Sequence, residues 1–510
     1  MRRTMTEDGQ PQVTITHTLS ALHVQVSFET GNGVLKEAMD KETLMDVLPW
    51  FVVGAVIVIT FIVEWFSRVA AIKRRYQVPG LNRESIKEGN LPRMVAAGSV
   101  HAFLEQLHAQ FGPVASFWWG PRYCVSVCEQ GAFEQYIFGV EHKPADIYQP
   151  LEHVFGSDCV FFTPESDVVA RRNIYNISFY NQTSLERHFR CFQRVADEML
   201  ETLKHVTEDD HVATSDVMSS YAMKAVLYSL CGDTTLPDSD IRFLQQTSAS
   251  ICSLIEEMLL KPTSEERSAL IRTEQEKIRD LLGDVVSDRK DHSPEADDKL
   301  FIDHVIDGEV PLSDLITYLL LGCYKTSNLL SWAVYYLCRH TDVQSKLHEE
   351  IQTILGDEHM TLASIPRLEY MQQVLNETMR RSALVPWTAR VKAGPCLLGG
   401  YKVPGQTPVI LALGIAGRNP EVFCEPEKFD PDRFSIENTQ LQKPLSFVPF
   451  GFPGNRKCPA DLFSFAHASV ALVTILRNFR IKMVTEQDVK PMHGFVTIPS
   501  EEIWLTLLKR

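Results

Sequence analysis

Residues 450–459 read Phe450-Gly451-Phe452-Pro453-Gly454-Asn455-Arg456-Lys457-Cys458-Pro459, and an apolar helical stretch follows from Leu462 to Leu476. In this loop, which is rich in glycine and proline, one cysteine lies beside two cations and just before a helix. Positive neighbours and a helix N-terminus both favour a thiolate over a thiol, and such a thiolate is suited to binding a metal ion. The loop lacks the G-x-x-x-x-G-K-[ST] pattern of phosphate-binding loops. The segment therefore predicts that Cys458 is a metal ligand.

Cys458 is one of eleven cysteines, an odd number at scattered positions with no C-x-x-C pair. This pattern argues against the disulfide framework of a small secreted protein and against a tetrahedral zinc site. The other cysteines are expected to be reduced and buried as small apolar residues. Cys458 is therefore the cysteine whose local sequence predicts chemistry.

Two segments upstream of the cysteine loop carry charges that can meet. Glu377 and Arg380 are three residues apart on a predicted helix, so they share one face and can pair. The aromatic loop Phe429-Asp430-Pro431-Asp432-Arg433-Phe434 can return Arg433 to Glu377. A buried set of two arginines and one glutamate would fix a structural joint, and we do not expect it to catalyse a reaction.

The apolar periodicity predicts a large, mainly helical domain with small β-sheets. The longest apolar helix is predicted over 312–340, with Gly322 in its middle. Glycine inside a helix costs about 1 kcal/mol relative to alanine, so a close approach by a flat group would explain it, and an ordinary core helix is the alternative. Further helices are predicted at 99–111, 184–206, 241–260, 264–287, 342–355 and 367–381, and strands at Val114–Phe117, Cys124–Cys128, Val409–Leu413 and within 481–506.

The composition is that of a large globular protein with an acidic balance. The chain has 510 residues, 45% of them hydrophobic, and a formal net charge of −15. The apolar content excludes wholesale disorder, and the negative charge argues against a general nucleic-acid-binding protein. A length of about 150 residues per domain suggests three domains, but large single-domain enzymes break that rule.

The chain resembles the cytochrome P450 superfamily of haem-thiolate monooxygenases over about residues 78–510. The resemblance lies in the Glu-x-x-Arg pair, the aromatic loop with Arg433 and the cysteine loop, in this order and at these separations. More closely, the chain looks like the vertebrate orphan family twenty. This similarity lies in Gly89-Asn90-Leu91-Pro92, Gly98-Ser99-Val100-His101, Phe111-Gly112-Pro113-Val114, Ser116-Phe117-Trp118-Trp119-Gly120 and Glu501-Glu502-Ile503-Trp504. The resemblance implies the cytochrome P450 fold, with haem b as the cofactor.

The resemblance also implies roles for the residues that match the family's motifs. Cys458 would be the axial ligand of the haem iron, and Arg456 would bind a haem propionate. Glu377, Arg380 and Arg433 would form the structural triad behind the haem.

Further propionate contacts are implied by two other segments. Many relatives have Trp-x-x-x-Arg in an early helix; here Arg172 fits the arginine best, Val168 stands at the Trp position, and Arg171 is the alternative. Trp387 stands where many relatives have a propionate-binding Arg or His, and its indole N–H can still donate. Arg390 matches another common arginine.

The long helix departs from the pattern A-G-x-[DE]-T that most relatives have. In the family, the acid and the alcohol organise water that delivers protons during oxygen activation. The corresponding residues are Leu321-Gly322-Cys323-Tyr324-Lys325, so Tyr324 replaces the acid and Lys325 replaces the alcohol. Gly322 is retained, and Thr326 carries a hydroxyl one residue further along, about 100° round the helix. Gly322 and Thr326 are the candidate catalytic positions, but an ordinary acid–alcohol relay is not expected.

The cysteine loop has two departures of its own. Gly451 stands where relatives have a phenylalanine, between Phe450 and Phe452, and either ring can cover the thiolate. Ala460 replaces the usual glycine two residues after the cysteine. Such packing changes tune the redox potential of an iron centre.

A hydrophobic segment precedes the part that resembles the family. Residues 47–63 contain no charged side chain. This run of seventeen residues is at the short end of the ~17–25 residues that span a bilayer. Four basic residues follow within 68–75. The positive-inside rule then places the C-terminal bulk in the cytoplasm. We expect an N-terminal extension at 1–44, a single transmembrane anchor at 45–67 in the endoplasmic reticulum, a linker and membrane-proximal segment at 68–98, and the haem-binding catalytic domain at 99–510. A chain starting at Met45 would lack the extension.

Three functions stay open at this point. The first is a monooxygenase that takes electrons from an NADPH-dependent flavoprotein reductase and acts on a lipophilic substrate. The second is a haem-thiolate isomerase or dehydratase that acts on a peroxide without a reductase, which suits the altered relay. The third is a haem-binding protein without enzymatic activity. The stretch Arg171–Arg194 has a net charge of +4, from five arginines and one glutamate, and would attract an acidic reductase.

Overall fold

The structure is a computed structural model, and it describes residues 13–16, 25–30, 33–38, 50, 52–65, 78–139, 142–163, 166–233, 236–261, 265–291, 299–454 and 457–510. The chain divides into two compact units, Met1–Gln77 and Val78–Arg510. Residues 78–98, which the sequence assigns to a linker, belong to the second unit. There the amide of Ser116 donates to the Pro79 carbonyl at 2.8 Å, and that of Asn90 donates to the Trp118 carbonyl at 2.8 Å.

The first unit contains an antiparallel sheet of β1 (Val13–Thr16), β2 (Gln25–Thr30) and β3 (Gly33–Ala38), in that order. A helix, α1, spans residues 52–65, and its side chains are exposed. Within the described residues, no helix is both long enough and apolar enough to cross a membrane. The transmembrane helix expected at 45–67 is therefore not found in the part of that segment, residues 50 and 52–65, that the structure describes.

The second unit is mainly helical, as the sequence predicts. Its helices are α2 (Leu91–Ala97), α3 (Val100–Phe111), α4 (Gln130–Tyr136), α5 (Ala145–Phe155), α6 (Val168–Tyr180), α7 (Gln182–Lys204), α8 (Thr214–Cys231), α9 (Asp238–Leu260), α10 (Glu265–Asp291), α11 (Phe301–Ile306), α12 (Leu312–Arg339), α13 (Thr341–Leu355), α14 (Glu369–Ser382), α15 (Leu413–Ala416), α16 (Ile436–Leu441) and α17 (Asp461–Asn478), with 3₁₀ turns at Leu362–Arg367 and Pro431–Phe434.

The strands of the second unit form small sheets. They are β4 (Val114–Trp119), β5 (Arg122–Val127), β6 (Val212–Ala213), β7 (Thr388–Arg390), β8 (Cys396–Leu398), β9 (Tyr401–Val403), β10 (Val409–Leu411), β11 (Phe479–Met483), β12 (Pro491–His493), β13 (Thr497–Pro499) and β14 (Trp504–Lys509). The largest sheet has the order β4-β5-β10-β7, in which only β5 and β10 run parallel. This order places β10 between the β4–β5 hairpin and β7, the strand that follows α14.

Helix α12 lies in the core of the second unit and positions the site. It packs against α8, α9, α14 and α17, and most of its residues from Ser313 to Leu337 are buried. It begins after Pro311, whose missing N–H costs nothing at a helix start. The indole N–H of Trp332 donates to the Thr497 carbonyl at 3.1 Å and ties the helix to β13.

Candidate haem site

Cys458 lies at the end of a loop that leads from Phe450 into α17. Its amide N–H donates to the Phe450 carbonyl at 2.9 Å and closes the loop. Gly451 has a φ of 86°, a conformation that favours glycine because a Cβ would be strained there. Phe450 lines the same cavity as Cys458, whereas Phe452 packs on Phe133 with the ring centroids 5.4 Å apart. Of the two aromatic rings that flank Gly451, Phe450 is the one beside the cysteine.

Helix α6 is tied to the backbone on both sides of the cysteine. Nη1 of Arg172 donates to the Lys457 carbonyl at 2.6 Å. The hydroxyl of Tyr180 donates to the Cys458 carbonyl at 3.3 Å and to the Asp461 carboxylate in the first turn of α17. These contacts fix the position of the cysteine relative to α6.

The surroundings of Cys458 act on the pKa of its thiol in opposite directions. Burial raises the pKa of the Cys458 thiol above its usual value and outweighs Lys325 and Arg172, which lower this pKa. Lys457, which the sequence places beside the thiol, directs its ammonium group to the Asp461 carboxylate. A metal ion deprotonates a coordinating thiol outright, so the raised pKa does not prevent Cys458 from binding a metal ion.

The Cys458 side chain lines a cavity of about 320 Å³, within the ~300–1,000 Å³ usual for small-molecule sites. Its walls come from α6, α12, α14, β7 and the cysteine loop and are largely apolar. Several cationic residues contribute to the same walls: Lys143, Arg171, Arg172, Lys325, Arg380 and Arg390.

One face of α12 forms part of the cavity wall. Gly322, Lys325, Thr326 and Leu329 all line the cavity, as their spacing of three and four residues allows. Tyr324, which stands at the acid position of the family, is buried but does not line the cavity. Helix α12 is continuous from Leu312 to Arg339. Both Lys325 and Thr326 therefore reach the cavity without a break in the helix.

Glu377 and Arg380 form a buried, bidentate ion pair on α14. The Nε and Nη2 atoms of Arg380 donate to the two Glu377 oxygens at 2.7 and 2.8 Å, and both side chains are fully buried. Arg433 lies 3.5 Å from Glu377, and the Asp430 amide donates to Glu377 at 2.9 Å. Arg380 also donates to the Gly417 carbonyl at 2.9 Å. The structure thus brings the three predicted triad residues together.

Arg390 lies on β7 and lines the cavity together with Thr388. Its Nη1 atom donates to the Ala389 carbonyl at 2.9 Å and to the Thr388 hydroxyl at 3.2 Å. The ammonium of Lys143 donates to the same hydroxyl at 3.2 Å. Arg456, the other arginine expected to bind a propionate, lies outside the described residues.

Trp387 occupies a different place from the one expected. It is buried beside Trp119 and Tyr148, with centroid distances of 5.7 and 5.9 Å. It lines a second cavity of about 190 Å³, together with Glu256 and His493, and not the cavity of Cys458. Aromatic packing therefore takes this side chain to another wall.

A buried acid, Asp314, lies at the start of α12 and was not predicted from the sequence. The hydroxyl of Tyr175 donates to Asp314 at 2.7 Å, and Nη1 of Arg171 lies 3.5 Å from it. Burial raises the pKa of the Asp314 carboxyl to about 6, although these contacts favour the charged form. An acid in the first turn of an apolar helix was a visible signal, but favourable interaction with the helix N-terminus explains such an acid equally well. Arg171 is thus engaged by Asp314, and Arg172 is the one that reaches the cysteine loop.

The comparisons with known proteins agree with this site. The family described as "Cytochrome P450" matches residues 85–506. The chain belongs to the cytochrome P450 family. It is 28% identical over 470 residues to "Cytochrome P450 20A1" of Bos taurus and of Homo sapiens, which covers 89% of this chain and 99% of each relative. The protein of the same name from Mus musculus is 29% identical over 468 residues. These findings confirm the superfamily, and they confirm the resemblance to orphan family twenty that the motifs indicated.

The family implies haem with a cysteine thiolate as the iron ligand, and the cavity has the chemistry that this group needs. A thiol lines the cavity, the walls are apolar enough for a porphyrin, and arginines are present for the propionates. Among the described residues, the hydroxyl of Tyr318 in the same wall has no hydrogen-bond partner. When haem is bound, its iron supplies the redox chemistry of the family.

Proposed function

We propose that the chain is a membrane-anchored haem-thiolate monooxygenase that inserts one atom of O₂ into a lipophilic substrate. The observation that carries this proposal is the Cys458 thiol in the wall of an apolar cavity with cationic side chains. An NADPH-dependent flavoprotein reductase would supply two electrons, and the second oxygen atom would leave as water. Family membership supports a monooxygenase-type enzyme, and the apolar walls support a lipophilic substrate.

Each group at the site has a role in this proposal. Cys458 would be the axial ligand of haem b, held in place by the contacts of its loop with α6. Arg172 and Arg390, which line the cavity, would bind the propionates together with Arg456. The hydrogen bond of Arg172 to the Lys457 carbonyl would couple propionate binding to the position of the cysteine.

The remaining residues would support and adapt the site. Glu377, Arg380 and Arg433 would hold α14 against the loop that follows α15, because Arg380 also donates to a carbonyl there. Gly322 would leave room for the face of the haem. Thr326 would hold water at its hydroxyl on the cavity wall, which partly replaces the missing acid–alcohol pair.

Membrane anchoring by residues 45–67 is part of the proposal. It rests on the uncharged run 47–63 and the basic residues that follow it. The proposed location is the endoplasmic reticulum, with the catalytic domain facing the cytoplasm.

The reduced carbon-monoxide difference spectrum tests this function. Wild-type protein should show the Soret shift of a thiolate-ligated haem, and Cys458→Ala should lose it. Cys424→Ala is a matched control, because Cys424 is an exposed cysteine outside the cavity and its loss should leave the spectrum unchanged. A wild-type protein that binds no haem, or a C458A variant that keeps the shift, would contradict the proposal.

A haem-thiolate isomerase or dehydratase acting on a peroxide is the second candidate. It is favoured by the absence of Tyr324 from the cavity wall and by Lys325 at the alcohol position. Such an enzyme needs neither a reductase nor a proton relay. Oxygen consumption that depends on reductase and NADPH would support the monooxygenase, whereas turnover of a lipid hydroperoxide without either would support the isomerase.

A further inference from the structure

Among the residues that the structure describes, Lys325 places its ammonium group in the cavity wall without an acidic partner. No ion pair or hydrogen bond of its ammonium group is found within the described part of the chain. The ammonium group makes a cation–π contact, in which Nζ lies 5.5 Å from the centroid of the Phe495 ring. The carboxylate of Glu256 accepts from the Phe495 amide at 3.0 Å and forms no ion pair with Lys325 among the described residues.

The other cationic residues of the wall are already engaged. Arg380 pairs with the Glu377 carboxylate, Arg171 with that of Asp314, and Lys457 with that of Asp461. The remaining ones donate to neutral acceptors: Arg172 to the Lys457 carbonyl, Lys143 to the Thr388 hydroxyl, and Arg390 to the Thr388 hydroxyl and the Ala389 carbonyl. Arg172 and Arg390 also lie on α6 and β7, where the proposed propionate contacts are. Lys325 lines the same cavity from a different element, α12.

An ammonium group in such a place is costly unless an anion joins it. Burial lowers the pKa of Lys325, which is the sign that desolvation disfavours the charged form. A carboxylate brought into contact would form a charge-assisted hydrogen bond in an environment of low polarity. The surrounding wall, which includes Leu321, Leu329 and Val448, would cover an aliphatic chain.

We propose that Lys325 binds the carboxylate of the substrate, so that the substrates of this enzyme are amphipathic carboxylic acids. This inference rests on the proposed function, because it takes the cavity of Cys458 to be the substrate site. Lys325 is then a specificity-determining residue. The lysine at the position of the usual alcohol selects the substrate.

Equilibrium binding to the purified holoenzyme tests the proposal without turnover. The probes are dodecanoate and dodecan-1-ol, which share a chain and differ in the carboxylate, and calorimetry measures Kd for each. Wild-type protein should prefer the acid by about tenfold or more, equivalent to about 1.4 kcal/mol. Lys325→Gln and Lys325→Met should lose this preference with little change in the Kd for the alcohol, and Lys325→Arg should retain it. Lys143→Gln, a second cavity lysine that is already hydrogen-bonded, should keep the wild-type preference.

Two results would overturn the inference. The first is a wild-type protein with equal affinity for both probes, or a K325Q variant that still prefers the acid. The second is loss of haem from both K325Q and K325M, which would assign the lysine to a propionate. The carbon-monoxide spectrum is recorded on the same samples. If the acid preference is intact but the thiolate signature is missing, the result counts against the proposed function alone. If the thiolate signature is present but the acid preference is missing, the result counts against the substrate class alone.

Discussion

The carboxylate of Glu377 is fully buried and is held by Arg380, Arg433 and the Asp430 amide. Glu377→Gln keeps the shape of the side chain but leaves the buried Arg380 charge without a full counter-charge. Breaking a buried pair from one side typically costs about 3–5 kcal/mol, so we expect the free energy of unfolding to fall by roughly that amount. Urea titrations followed by circular dichroism measure it.

The neighbouring arginine of the same helix provides the control. Arg381 pairs with Glu427 at 2.7 Å, but the Glu427 side chain is 67% exposed. Glu427→Gln should therefore change the free energy of unfolding by only about 0–1 kcal/mol. Equal losses for the two variants would show that burial does not decide the strength of these pairs.

Glu256 is a partly buried acid, and it predicts a dependence of stability on pH. Burial raises its pKa to about 7, although the Phe495 amide, which donates to it, favours the charged form. The pKa of Glu256 in the folded protein lies above its unfolded value of 4.5. The contribution of Glu256 to the free energy of unfolding is therefore complete below pH 4.5 and is lost as pH rises through 7. Glu256→Gln does not titrate, so the variant should gain on the wild type by about 1–3 kcal/mol between pH 5 and 8.

Glu256 lines the second cavity, beside Trp387, and the other titratable groups there do not produce the same dependence of stability on pH. The pKa of His493 is lowered to about 3 by burial, so this residue stays neutral over the range, and Glu257 pairs with Arg267 at 3.1 Å. Glu257→Gln is the control and should follow the wild type at every pH. Parallel stability curves for Glu256→Gln and the wild type would contradict the prediction.

At the scale of single residues, the sequence identifies residues whose spacing along the chain brings them together locally. The triad follows from three-residue spacing on one helix and one aromatic loop, and Cys458 from a loop of fixed pattern. The sequence does not predict that Trp387 packs on Trp119 or that Lys457 pairs with Asp461, because tertiary packing and a side-chain ion pair decide these contacts. No local pattern encodes those choices.

At the scale of elements, the long periodic helices were predicted within a few residues. The prediction of 312–340 corresponds to Leu312–Arg339, and that of 184–206 to Gln182–Lys204. Helix α8 was missed because it is buried on most sides and carries Ser and Thr among its apolar residues, which hides the period. Helix α5 was missed because it contains Pro150, which usually ends a helix.

Gly322 gives a prediction about α12. A Cβ built there would lie 3.7 Å from Val226, so the protein itself leaves room for a methyl group. Gly322→Ala should therefore raise the free energy of unfolding of the haem-free protein by about 0.5–1 kcal/mol. If a flat group packs on this glycine, the same change should speed the transfer of haem to apomyoglobin.

Gly283 in α10 is the matched control for this substitution. It is also inside a helix, has no atom within 4 Å of the added Cβ, and does not line the cavity. Gly283→Ala should give the gain in stability without a change in haem transfer. Identical haem transfer in both variants would show that Gly322 does not contact the cofactor.

At the scale of the whole molecule, the net charge of −15 is less informative than its distribution. The arginines between Arg171 and Arg194 give this stretch its positive charge, but the structure uses several of them internally. Arg171 pairs with Asp314 and Arg194 with Asp233 at 2.6 Å. Arg190 on α7 is exposed. The positive field available to a partner is therefore smaller than the sequence count implies.

Arg190 is accordingly the residue at which the proposed docking of a reductase is best tested. Charge reversal by Arg190→Glu should slow NADPH-driven haem reduction severalfold at low salt, because it opposes the approach of an acidic surface. The difference from wild type should shrink at 0.5 M salt, where the Debye length falls to about 4 Å. Arg242→Glu, an exposed arginine on α9, makes the same change in net charge elsewhere and should reduce at the wild-type rate. Equal slowing by both variants would indicate a response to total charge, and an unchanged rate in Arg190→Glu would exclude this face of α7 from docking.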